Sequence, residues 1–119
     1  MTSEEKAVLV ECQRREDEIA AQPNSPKHRT WDRRALDELR EYGPEFSSNL
    51  WFGNEGDPVP ERFRSRFLRA VWKLAADGLL VPTRTGARLS HLKLTEQGRQ
   101  AVAAMDTATD APQDGRADE

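Results

Sequence analysis

The chain has one cysteine, Cys12, and two histidines, His28 and His91. A lone thiol cannot close an internal disulfide, and with only two histidines it cannot complete a four-ligand structural zinc site. No apolar run approaches the roughly 18 residues that cross a bilayer, and the amino terminus lacks the basic-then-apolar order of a signal peptide. A cytoplasmic protein is expected. Gly53 and Gly56 do not precede a lysine at the spacing of a phosphate-binding loop. Ser65 and Ser90 lie outside a nucleophile-elbow pattern, and His91 has no nearby carboxylate except Glu96. No catalytic residue, cofactor or metal is expected, and the chain reads as a non-enzyme.

Charged residues make up 33% of the chain and apolar ones 36%, as suits a solvated domain with a small core. At 119 residues the length allows one core plus additional ends. The net charge of −3 conceals a division. Residues 1–59 hold eight Lys/Arg against 13 Asp/Glu, residues 60–104 nine against three, and residues 105–119 one against five. The local balances are therefore −5, +6 and −4. Positive charge is concentrated in one segment, where a polyanion-binding surface would need it.

Periodicity and punctuation divide the chain further. A helix is expected from Ser3, as N-cap, to about Gln22, with a thin apolar stripe of Val8, Leu9, Cys12 and Ile19. Such a stripe can pack on a domain or pair with a second copy. Pro23 to Pro26 breaks it. A core helix should run from Thr30 or Trp31 to Tyr42, with Trp31, Ala35, Leu36, Leu39 and Tyr42 on one face. A short third helix between Pro44 and Phe52 is followed by turn-rich Gly53 to Pro58, longer than a simple helix-turn-helix turn. The best-defined helix spans Pro58 to Asp77, with Asp57 as its cap and Gly78 as its stop. Leu79–Thr83 and Leu89–Leu94 are strand candidates around an Arg84 to Arg88 turn, the first at an edge because Pro82 cannot donate to a ladder. Thr95 should cap a final helix to about Met105. From Asp106 the composition predicts a disordered acidic tail. The expected division is residues 1–22 as an amino-terminal packing or dimerisation helix, 30–105 as the domain, and 106–119 as tail.

On the long helix, Phe63, Phe67, Ala70, Val71 and Leu74 project together, and Leu68, Trp72 and Ala75 widen the apolar arc. Arg62, Arg66, Arg69 and Lys73 line the remaining side. Arg62, Arg64, Ser65 and Arg66 are then candidates for base edges or phosphates, with Arg69 and Lys73 on backbone phosphates. A solvated helix face is the plain alternative. Contact is favoured by the lack of an acid within the strip and by Arg84, Thr85 and Arg88 on the following hairpin, with Lys93 a further phosphate candidate. The aromatics Trp31, Phe46, Trp51, Phe52, Phe63, Phe67 and Trp72 could stack single-stranded bases, but their helical spacing favours core packing. Of these, Trp51 or Phe52 is the candidate for exposure.

The run from Arg66 to Val81, followed by Arg88 and Leu94-Thr95-Glu96-Gln97-Gly98-Arg99, resembles winged helix-turn-helix regulators of the MarR and PadR type, over about 40 of the 119 residues. The resemblance implies a mainly α fold with a small β-hairpin, a winged helix carrying an extra amino-terminal helix. It also implies a sequence-specific double-stranded DNA-binding transcriptional regulator, usually a homodimer, with residues 62–73 in the recognition helix and 84–88 in the wing. Here the first or last helix would mediate dimerisation. The alternatives are a winged-helix module docking an acidic protein partner, and an accessory factor in plasmid or phage replication or DNA mobility.

Overall fold

The computed structural model describes residues 1–22, 32–54 and 56–110, with side chains through 105. Among them are α1 (Ser3–Ala20), α2 (Arg33–Tyr42), α3 (Ser48–Phe52), α4 (Glu61–Ala76), β1 (Leu80–Thr85), β2 (Arg88–Leu94) and α5 (Glu96–Asp110). The mainly helical fold with one antiparallel hairpin is the expected winged helix with an additional first helix.

Thr2, one residue before the expected cap, starts α1. Its Oγ1 accepts the Glu5 N–H at 3.1 Å while the Glu5 carboxylate accepts the Thr2 N–H at 3.2 Å, closing a capping box. The stripe that looked thin in sequence forms the middle of the core. Val8, Leu9 and Cys12 are fully buried against Val71, Leu74, Leu92 and Leu94. Burying an aliphatic side chain contributes roughly 1.5–3 kcal/mol, so α1 is integral to this core. Burial pushes the Cys12 thiol far above its usual pKa, with the Glu16 carboxylate adding to the effect.

Glu16 fastens α1 to distant elements. Its Oε2 accepts the Leu94 N–H at 2.7 Å, and its Oε1 accepts from Arg99 at 3.0 Å. This polar tie lies within the apolar stripe, four residues after Cys12.

Asp32 caps α2 by accepting the Ala35 N–H at 2.8 Å, so the helix begins at Arg33. Leu36 is its fully buried residue, whereas Tyr42 is exposed. Trp31 and the Pro23 to Pro26 break lie outside the described residues. Gly43 ends α2 at a φ of 88°, and a Cβ there would collide with the Leu92 carbonyl. That close approach lets Glu45 bridge to His91, adding a single rung beside β2. Trp51 is buried and its Nε1 donates to the Glu45 carbonyl at 2.8 Å; Phe52 is half-buried and stacks on Phe67 at 4.1 Å. Neither is the exposed aromatic anticipated.

The first turn of α4 differs from expectation. Asp57 pairs with Asn54 in an isolated bridge and does not cap the helix, which starts at Glu61 after Pro60 without a side-chain cap. At the other end Gly78, at φ 80°, permits the Leu79 N–H to reach the Leu74 carbonyl at 2.9 Å. Thr95 caps α5 as expected, accepting the Gly98 N–H at 3.0 Å and donating to the Gly78 carbonyl at 2.7 Å. The helix continues through Asp110, past Met105, so the stretch read as disordered from Asp106 begins as helix. Residues 111–119 lie outside the described residues. Among the described residues no helix is long and apolar enough to cross a membrane.

Candidate nucleic-acid interface

The helix repeat places the buried Ala70, Val71 and Leu74 of α4 on one side and Arg62, Ser65, Arg69 and Trp72 on the other. The core therefore orients the polar face outward. Arg62 and Arg66 stack their guanidinium groups against the Phe63 ring, at 4.9 and 5.2 Å from its centroid. This contact restrains two long side chains while leaving their N–H donors available. Among the described residues, Arg62, Arg66 and Arg69 form no ion pair.

The remaining candidates divide. Lys73 Nζ donates to both carboxylate oxygens of Asp77, at 2.9 and 2.8 Å, and this hydrogen bonding holds its ammonium above the usual pKa. Arg64 points to the other flank and binds Glu61 through Nε and Nη2, at 2.7–3.1 Å. The acid-free strip of the sequence thus acquires one acid, Asp77, from the carboxyl end of the helix. It also acquires acids from α1: Thr2, Glu4 and Glu5 line a groove with Arg66, Arg69 and Lys73. Two carboxylates beside these cations lower the positive potential at that end of the strip.

The hairpin brings Arg84 to the outward face of α4. Its guanidinium lies 4.8 Å from the centroid of Trp72, which is 38% exposed and does not belong to the core as its spacing suggested. Phe63 also stands outside the buried cluster, beneath its two arginines. Thr85 Oγ1 donates to Ser90 Oγ at 3.0 Å, and Ser90 Oγ donates to the Thr83 carbonyl at 3.1 Å, so that hydroxyl pair braces the turn. Arg88 is exposed and without an ion pair among the described residues. Lys93 is not brought to this surface. Its Nζ donates to the Arg40 and Glu41 carbonyls, at 3.4 and 3.2 Å, capping the carboxyl end of α2.

The structure therefore gathers Arg62, Ser65, Arg66, Arg69 and Arg84 on one outward surface, places Arg64 and Arg88 on its flank, neutralises Lys73 and removes Lys93. Trp72 was missed as a surface residue, although it follows Arg69 by three and Ser65 by seven, on the same helical side. Chemically, the surface offers planar donor forks suited to bidentate contacts with phosphate or guanine edges. No protein-family model, curated protein or solved structure matches the chain.

Proposed function

We propose that the protein binds duplex DNA as a small transcriptional regulator, with α4 in the major groove and the hairpin on the adjacent groove or backbone. The observation carrying this reading is the outward face of α4, where Arg62, Arg66 and Arg69 stand without ion pairs among the described residues. The Arg84 contact with Trp72 joins the hairpin to that face. Phosphate neutralisation supplies most of the affinity, and the face and hairpin supply sequence choice. The reading includes a homodimer through an outward face of α1 or α5, because the apolar stripe of α1 and Ala101, Val102 and Met105 of α5 pack within their own chain. Neither catalysis nor a cofactor enters this reading.

Fluorescence anisotropy with a labelled duplex across a salt series tests it. Five arginines neutralising phosphates, Arg62, Arg66, Arg69 and Arg84 with Arg88 from the flank, give a slope of log K against log salt of about −4.5. A slope of zero, or no saturable binding at low salt, removes the mechanism. Selection from random duplexes then reports site length and half-site symmetry.

A further inference from the structure

Ser48 is 7% exposed, and among the described residues its hydroxyl has no hydrogen-bond partner. A buried hydroxyl without a partner is rare, because removing it from water sacrifices hydrogen bonds that nothing replaces. Ser48 lines a hollow together with Ser47, Asn49, Arg64, Leu68 and Arg88. The hollow lies on the flank of α4 away from Glu4 and Glu5, between α3 and the hairpin. Its described lining contains no carboxylate.

The polar groups around it have donors to spare. Ser47 Oγ accepts the Leu50 N–H, leaving its own proton to donate. Asn49 Oδ1 accepts the Val59 N–H at 2.9 Å, leaving its amide NH2. Arg64 uses Nε and Nη2 on Glu61, leaving Nη1. Arg88 contributes a guanidinium without an ion pair among the described residues. One guanidinium without an acid, a second shared with Glu61, and three neutral donors are suited to a tetrahedral oxyanion with several acceptor oxygens.

We propose that this hollow is a phosphate site, seating one backbone phosphate of a bound duplex beside the α4 face. The source of the phosphate rests on the DNA reading; the site chemistry is equally suited to free phosphate. Ser48 contributes to binding at the expense of local stability. Removing an unsatisfied buried hydroxyl leaves the melting temperature unchanged or raises it, so Ser48→Ala separates binding from folding.

The test compares wild type, Ser48→Ala, Arg88→Gln and Arg66→Ala/Arg69→Ala with a mixed-sequence duplex, and separately with inorganic phosphate by amide NMR. Arg88→Gln is expected to weaken duplex binding about 5- to 10-fold and to reduce the salt slope by about 1. Ser48→Ala weakens binding about 3-fold, with the slope unchanged because the hydroxyl is neutral. Wild-type affinity and slope in both Ser48→Ala and Arg88→Gln, with binding lost in the α4 double variant, overturn the phosphate site and leave the DNA reading standing. If wild type binds no duplex, the DNA reading falls and inorganic phosphate decides. Saturable shifts at the Ser48 and Arg88 amides that vanish in both single variants uphold a free-phosphate site; unperturbed amides overturn it.

Discussion

The helices α1 and α4 pack against each other and share a core, yet they use charge in opposite ways. Most charges on α1 are paired: Arg14 with Glu11 and Glu18 and Arg15 with Glu11 along the helix, and Glu16 with Arg99 of α5. On α4 the pairs lie near the ends, Arg64 with Glu61 and Lys73 with Asp77, while Arg62, Arg66 and Arg69 have none among the described residues. A helix whose polar side only supports the fold can close its charges locally. Maintaining three nearby guanidinium groups without ion pairs incurs repulsion that the stacking of Arg62 and Arg66 on Phe63 only partly offsets, which makes that surface the better candidate for an external anion.

The strongest test of this contrast removes the tie of α1. Glu16→Ala leaves the Leu94 N–H and Arg99 without a shared acceptor and should destabilise the protein by about 3 kcal/mol in denaturant melts. A loss below about 0.5 kcal/mol would show that α1 is held by its apolar stripe alone. On α4, Arg66→Ala/Arg69→Ala should reduce duplex affinity about 30- to 100-fold at low salt while leaving the melt nearly unchanged. Retained affinity would move the interface elsewhere, whereas loss of both affinity and stability would make these arginines structural.

Smaller effects sharpen the boundary between the two helices. Glu4→Gln removes one acid from the groove shared with Arg66, Arg69 and Lys73, and should strengthen duplex binding about 2-fold at low salt, less as salt rises. An unchanged affinity at every salt concentration would mean that bound DNA does not approach this end of α4. The smallest expected effect concerns Glu11, whose carboxyl is held below its ordinary range chiefly by hydrogen bonding from Arg14, with burial opposing and Arg15 assisting. Its contribution is present above the unfolded pKa of about 4.5 and is lost as pH falls through the lower folded value. Glu11→Gln should therefore destabilise slightly at neutral pH, and the difference from wild type should vanish in acid. A pH-independent difference would assign the effect to packing.

Much of the fold was legible because its signals are local. Gly78 stops α4, Gly86 at φ 65° turns the hairpin and Thr95 caps α5, each through contacts within a few residues. The misplaced cap on α1 was legible too, since Thr2 and Glu5 have capping-box spacing. Other readings failed for tertiary reasons. Spacing put Trp72 on the edge of the apolar arc, but only the approach of the hairpin decided that the ring would be covered by Arg84 and remain partly exposed. Lys93 carried the right charge in the right segment, yet β2 delivers it to the end of α2.

The sequence by itself determined that the chain would form amphipathic helices and a hairpin, and that positive charge would be concentrated between residues 60 and 104. Periodicity, caps and glycine stops act within about one helical turn, so they can be read from neighbouring residues. Tertiary structure decided which charges find partners and which surfaces remain open. Glu16 meets Arg99 across 83 positions of sequence, and Arg64, Arg88 and Ser48 reach one hollow from three elements. Ion pairing and burial depend on distance in space, and packing of the core fixes those distances.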